Sequence, residues 1–127
     1  MNDLLLMGSA LYQYLTTNGT ATIYYQKAPQ GASVPYTVIQ FMNAVDDYTF
    51  NDKGVSSDYA IKVVSDRKFP FDAIQLYGYI HGLIQDGSVS VAGYDLLRIR
   101  RESMFQYQDP QDFWNVGGIY NLDIWEI

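Results

Sequence analysis

Apolar residues recur along the chain with two periods, and the longer period predicts two helices. In residues 3–17 they recur every three or four positions, the spacing of one helical face: Leu4, Met7, Leu11, Tyr14 and Leu15. A second stripe of the same period lies between Pro70 and Gly87: Ile74, Tyr77, His81 and Ile84. Each helix is therefore expected to present one apolar face to a neighbouring layer.

Segments rich in β-branched and aromatic residues predict strands between and after these helices. The strands are expected at residues 20–26, 36–42, 59–64, 89–91, 94–105 and 118–127. Residues 43–57 are polar, and we predict that they form a long loop. The order of elements predicts an α+β fold, a mainly antiparallel sheet with both helices on one face. We expect residues 1–127 to form a single domain.

Composition indicates a folded chain and excludes several kinds of site. Hydrophobic residues make up 48% and charged residues 17% of the sequence, unlike a disordered chain. There is no cysteine, which excludes disulfides, thiol nucleophiles and thiolate metal sites. No apolar run approaches the roughly 18 residues of a membrane span, and residues 4–7 are too few for the core of a signal peptide. We therefore expect a soluble intracellular protein without membrane association.

The charge and the aromatic content together favour protein partners over nucleic acid. A formal net charge of −6 repels phosphate backbones, so we expect no specific DNA binding. The sequence contains 12 tyrosines, 6 phenylalanines and 2 tryptophans. Such residues are enriched at protein–protein interfaces, although a tyrosine-rich sheet would account for them equally well.

No group of residues has the pattern of a catalytic or metal site. His81 is the only histidine, and its place in the apolar stripe favours a packed helix residue over a catalytic one. The acidic segment 43–57 lacks the donor spacing of a calcium-binding EF-hand loop, which favours a solvated or partner-contacting loop. We therefore predict no enzymatic activity, no cofactor and no metal.

Two segments are candidate interfaces with a neighbouring subunit or partner. In the first, prolines restrict the backbone while a glycine permits a turn: Pro29, Gln30, Gly31, Val34 and Pro35. In the second, Arg98 and Arg100 share one face of a predicted strand and Arg101 lies on the other. The arginines suit an acidic partner, or alternatively pair across the sheet with carboxylates such as Asp123.

The chain also resembles a known family. The residues that carry the resemblance are Ala10-Leu11-Tyr12 with Leu15, then Ile23, Ala28-Pro29-Gln30-Gly31-Ala32 and Val34-Pro35-Tyr36-Thr37-Val38. Together they resemble the small tail-completion and tail-terminator proteins of long-tailed bacteriophages. The order of elements is similar over nearly the whole chain.

The resemblance implies a structural role in the virion. Proteins of this kind are expected at the junction of head and tail, where a ring, expected to be a hexamer, meets the tail tube protein and the head–tail connector. DNA would only pass through, and we expect Asp46, Asp47 and Asp52 to face that passage in the assembled virion. The alternatives are another neck or connector protein, or a monomeric module that binds a host protein.

Overall fold

Two helices and five strands form the fold, in an order that follows the sequence prediction. The computed structural model describes residues 2–18, 22–49, 52–65, 70–86 and 94–126. Helix α1 is Asn2–Asn18 and helix α2 is Phe71–Asp86. The strands are β1 (Ile23–Tyr25), β2 (Tyr36–Thr49), β3 (Asp52–Ser65), β4 (Tyr94–Gln108) and β5 (Trp114–Glu126). The predicted strand at residues 89–91 lies outside the described residues.

All five strands belong to one sheet, in the order β1-β2-β3-β5-β4. The three long pairings are antiparallel, and only the short β1 runs parallel to β2. The predicted α+β class with a mainly antiparallel sheet is therefore confirmed. Neither helix, within its described residues, is long and apolar enough to cross a membrane.

The core lies between the two helices and one face of the sheet. Alternate residues of β3, namely Tyr59, Ile61 and Val63, are fully buried, as a strand with one covered face requires. They share a single apolar cluster with Leu11 of α1 and Ile80 of α2. Because both helices contribute to that cluster, they pack on the same face of the sheet, as predicted.

The prediction of a loop at residues 43–57 is wrong. Strand β2 continues to Thr49, β3 begins at Asp52, and these two residues are paired partners. Antiparallel pairing satisfies the backbone hydrogen bonds of this polar segment, so a polar sequence was not sufficient evidence for a loop. The acidic residues assigned to that loop, Asp46, Asp47 and Asp52, are strand residues.

The strands are longer than the helices that cover them. Strand β3 has 14 residues and α2 has 16, which correspond to about 47 Å and about 24 Å. Among the residues whose side chains the structure describes, the last fully buried row on the helix side contains Ser57 and Leu122, which are paired partners. We call the strand residues beyond that row, 45–49, 52–56, 94–98 and 123–126, the sheet extension.

Candidate functional site

The predicted proline loop forms one end of the sheet. It follows β1, where the chain turns at Gln26 with a φ of 72°. Within the loop, Ala32 N donates to Pro29 O at 3.1 Å and Gly31 has a φ of 81°. Glycine adopts such a φ without the strain that a Cβ atom introduces, so the sequence interpretation of a glycine turn between prolines fits the geometry.

The loop lies against the turn between β4 and β5, and the two line a cleft of about 790 Å³. That turn is held by Asp109, whose Oδ1 accepts from Gln111 N at 2.9 Å and from Phe113 N at 3.0 Å. Its Oδ2 accepts from Asn115 Nδ2 at 3.1 Å. Burial, and secondarily the charge of Asp109, raises the pKa of Tyr36 in this cleft. The sequence prediction left residues 106–117 between two strands and did not place them beside the proline loop.

The loop residues themselves are largely exposed. Pro29, Gln30, Gly31 and Pro35 are exposed, and Val34 is half-buried. A Cβ atom at Gly31 would meet no other atom within 4 Å. The side chains of the loop are therefore accessible to a partner, while Pro29 and Pro35 restrict its backbone.

The predicted arginine pair lies elsewhere on the sheet. Arg98 is the register partner of Asp123 and Arg100 that of Asn121, so both occupy the face opposite the helices. The alternative of a partner across the sheet at Asp123 thus has the right register for Arg98. Arg100 is exposed. Its partner in β5 lies seven positions from Trp114, which stands at the end of the sheet that holds the proline loop. Seven strand positions span about 24 Å, so the two candidate interfaces are separate.

Arg101 points to the helix side, into a polar cluster that the sequence did not reveal. Tyr120 Oη lies 2.7 Å from Tyr77 Oη and 2.8 Å from His81 Nδ1. Arg101 Nη1 donates to Tyr77 Oη at 3.3 Å. Burial first, and the Arg101 charge second, lowers the pKa of His81. Burial also raises the pKa of Tyr120, so its hydroxyl stays protonated and can donate in the cluster.

This cluster has the properties of a structural clamp between α2 and the sheet. A Cβ atom at Gly118 would overlap the Tyr77 hydroxyl, so glycine at this position lets the tyrosine reach Tyr120. A charge-relay pair would need a carboxylate or a nucleophile beside the imidazole. The surroundings of Tyr120 favour its neutral form, which does not suit an activated nucleophile. His81 is therefore a packed, hydrogen-bonded helix residue, in line with the sequence interpretation.

The face of the sheet opposite the helices carries a second surface that sequence analysis missed. A cleft of about 520 Å³ is lined there mainly by apolar side chains, among them Phe105 and Ile119. Lys62 Nζ lies 3.3 Å from Tyr107 Oη at its rim. Met104, which is 65% exposed, lies on the other face of strand β4, since its register partner is Gly118. The sequence signal for this surface is the pair Phe105 and Tyr107, two positions apart on β4.

Among the described residues, no group of three or more histidine, cysteine, aspartate or glutamate side chains could hold a metal ion. The geometry thus offers an exposed loop and strand edges that suit association between proteins, and a clamp that serves the fold.

Comparison with known proteins decides the family. The family model described as tail completion protein gp17 matches residues 5–125. The chain belongs to this family. The resemblance found in the sequence is therefore confirmed, and the tail completion family is one of structural tail proteins.

A solved structure supports the same fold for this tail completion protein. A chain in the structure titled "Virion of native gene transfer agent (GTA) particle" superposes with a TM-score of 0.78 at 13% sequence identity, covering 94% of each chain. At that identity the likeness shows the fold. Among curated protein sequences, none matches significantly.

Proposed function

We propose that this protein completes or terminates the tail tube at the head–tail junction, as a ring of its own copies that joins tail to head. The single observation that carries the proposal is the match of the tail completion family over residues 5–125. The expected copy number is six. Its partners are a second copy of itself, the tail tube protein and the head–tail connector, in the tail or neck of a virion assembled in the host cytoplasm.

The proposal assigns roles to the two candidate interfaces. The exposed proline loop, Pro29 to Pro35, contacts a neighbouring subunit or the tube through a backbone with few accessible conformations. Arg98 and Arg100 face protein. An acidic chain surrounding the passage keeps DNA moving, because like charges do not bind.

The acidic residues assigned to the passage stand on strands, which limits how many can face it. Asp46 and Asp47 are consecutive in β2, and consecutive strand positions alternate between the two faces of a sheet. One of the two, together with Asp52, is therefore the most that a single sheet face directs toward the passage. Arg98 and Arg100 lie on the same sheet face as Asp47, so they face protein only where a neighbouring chain covers that part of the face.

Deleting the gene from a phage that encodes this protein tests the role directly. Electron microscopy of the lysate should show DNA-filled heads and unjoined tails, and adding purified protein should restore joined particles. Joined, infectious particles formed without the protein would contradict the proposal. A protein that instead stays monomeric and captures one host protein would support the host-binding alternative.

The arginine assignment has its own test. Replacing Arg98 and Arg100 with Ala should reduce joining while leaving duplex DNA affinity negligible at physiological salt. Tight DNA binding that falls steeply with salt, and disappears in this variant, would instead indicate a nucleic-acid-binding protein.

The loop assignment is tested by two substitutions of Gly31. The change Gly31→Asn adds a side chain but tolerates a positive φ, whereas Gly31→Val adds both bulk and backbone strain. If the loop is an interface, Gly31→Asn should impair joining with little change in melting temperature. If only Gly31→Val is impaired, in joining and melting alike, the loop serves the fold alone.

A further inference from the structure

The described sheet ends in two edges whose backbone groups have no strand partner among the described residues. Strand β4 is the last strand on one side, and its outer edge is 15 residues long. On the other side, β1 pairs only with residues 37–39 of β2. Unpaired strand edges template pairing with another chain unless something prevents it.

The pairing of β2 with β1 is stopped by Gln26. Gln26 N donates to Ile39 O at 2.7 Å, and its side-chain Oε1 accepts from Phe41 N at 3.0 Å. Gln26 O accepts from Gln40 Nε2 at 3.1 Å. Gln26 thus covers the outer edge of β2 as far as Phe41. Beyond Phe41, residues 43–49 of β2 have no strand partner on that side among the described residues, and they form the second open edge.

The two open edges carry opposite charges. The open part of β2 contains Asp46 and Asp47 and no basic residue. Strand β4 contains Arg98, Arg100 and Arg101 within four residues, against the acidic Asp95 and Glu102, so it is basic by one charge. A charge of either sign would keep an edge solvated. Because the two edges differ in sign, contact between two β2 edges or two β4 edges is unfavourable, whereas contact between a β2 edge and a β4 edge is favourable.

Strand direction and side-chain alternation permit that contact. Strand β4 runs antiparallel to β5, which runs antiparallel to β3, which runs antiparallel to β2. If β4 of a second copy lies beside β2 in the same sheet orientation, the two strands are therefore antiparallel, like the other long pairs of the sheet. Asp47 pairs with Gly54, which pairs with Trp125 and in turn Asp95. This row, like the rows of Arg98 and Arg100, belongs to the face opposite the helices. Arg98 lies in the row of Val45, so a shift of two residues in the pairing with the next copy would place Asp47 beside Arg98 instead of Asp95.

We propose that copies of this chain associate by sheet continuation, with the β2 edge at residues 43–49 of one copy pairing with the β4 edge of the next. The inference rests on the proposed ring, and it specifies the interface. A contact between two different edges is head-to-tail, which closes into a ring when the rotation between copies allows it. The occupant of each edge is therefore a second copy of this chain.

Charge reversal on one edge at a time tests the pairing. One variant carries Asp46→Lys with Asp47→Lys, which makes both edges basic, and the other carries Arg98→Glu with Arg100→Glu, which makes both acidic. Association is measured by sedimentation velocity over a concentration series at low salt. Each variant alone should lose at least tenfold in association, while an equimolar mixture should recover it, because unlike edges meet again in alternating order.

Conservative variants provide the control. Arg98→Lys with Arg100→Lys, and Asp46→Glu with Asp47→Glu, keep each charge and should associate like the wild-type chain. Circular dichroism and melting temperature establish that every variant is folded, and recovery in the mixture shows the same for a reversed variant whose melting temperature falls.

The outcomes separate this inference from the proposed function. Reversed variants that associate like the wild-type chain would overturn the edge pairing and leave the ring in place. Loss of association that the mixture does not repair would also overturn it. A wild-type chain that never self-associates, alone or on tail tubes, would overturn the proposed ring and the edge pairing together.

Discussion

The same four strands are stabilised differently in the two halves of the sheet. In the helix-covered half, side chains such as Ile39, Ile61 and Tyr120 are at most 1% exposed and pack beneath α1 and α2. In the sheet extension the strands continue with paired registers but run past the helices. Apolar burial stabilises the first half, whereas the second half continues by backbone pairing past helices that are shorter than the strands.

The difference bears on function because each half suits a different task. A buried core fixes one geometry, which a subunit needs in order to present its loop and edges reproducibly. An extension with open, charged edges retains unused hydrogen-bonding capacity that a neighbour can satisfy. The covered half is therefore the scaffold, and the extension is the part available for assembly.

Truncating a core residue should produce the largest effect. Ile61→Ala removes a fully buried side chain from the central strand β3, and we expect a loss of about 2–5 kcal/mol in the free energy of unfolding. Urea denaturation of the purified chain measures it. Ser56→Ala in the extension is the matched change, and it should lose about 1 kcal/mol or less.

The small effect expected of Ser56→Ala follows from its neighbours. Asn121 Nδ2 donates to Ser56 Oγ at 2.8 Å but also approaches Asp58 Oδ1 at 3.0 Å. The amide therefore keeps a partner when the hydroxyl is removed. Equal losses for the two substitutions would contradict the division of the sheet into a core-stabilised half and an extension.

Filling the space at Gly118 should produce the next largest effect. Gly118→Ala places a methyl group against the Tyr77 hydroxyl, 2.9 Å from Ser103 O and 3.0 Å from Arg101 Cδ. We expect a loss of about 1–3 kcal/mol. Thermal and urea unfolding measure it, with Gly78→Ala as the control, because a Cβ atom there meets nothing within 4 Å and alanine favours a helix by about 1 kcal/mol.

A second substitution shows whether the clamp is the cause. In the Tyr77→Phe background the overlapping hydroxyl is absent, so Gly118→Ala should cost less than it does in the wild-type chain. Relief should be partial, since the Ser103 carbonyl remains close. Strictly additive losses would mean that the tyrosine hydroxyl is not what requires glycine.

Sequence patterns predicted the covered half of the fold well because burial leaves a periodic signal. Both helices and the apolar alternation at Tyr59, Ile61 and Val63 were predicted, and these are the residues that the core buries. In the extension, residues 45–49 and 52–56 were predicted as a loop because their polar sequence shows no apolar alternation, whereas residues 94–98 and 123–126 were predicted as strands. Pairing partners such as Thr49 and Asp52 become evident only from the register.

The candidate surfaces were predictable only in part, for a similar reason. Composition and proline spacing identified the loop at Pro29 and the arginine cluster, since local chemistry suffices for both. The clamp joins Tyr77 to Tyr120, which are 43 residues apart, and the two open edges are opposite sides of one sheet. Such long-range neighbours depend on strand order, which no local pattern specifies.

Hydrogen exchange should show the two halves directly. Amides of residues 43–49 in the free chain should exchange at least about tenfold faster than amides of β3 in the covered half, a difference of about 1.4 kcal/mol in opening free energy. If copies pair through this edge, assembly should slow exchange at 43–49 selectively. Exchange at 43–49 that is already as slow as at Ile61 in the monomer would contradict the comparison.

The smallest expected effect is a pH dependence confined to the covered half, at His81. Folding lowers its pKa, so the folded chain binds a proton less readily than the unfolded chain, whose imidazole has a pKa of about 6.5. The free energy of unfolding should therefore be highest above about pH 6.5. It should fall as the pH is lowered from the pKa of the unfolded chain to the lower pKa of the folded chain. Carboxylates, with ordinary pKa values near 4, titrate at lower pH, and His81 is the only histidine. The decline in stability between about pH 6.5 and 5 therefore reports on this side chain.

Urea unfolding across that pH range should give a flat profile for His81→Gln and a wild-type slope for Tyr14→Phe. The second substitution removes a hydrogen bond to Leu83 O in the same layer and leaves the histidine in place. A slope that survives in His81→Gln would assign the pH dependence to another group and leave the clamp without a part in it.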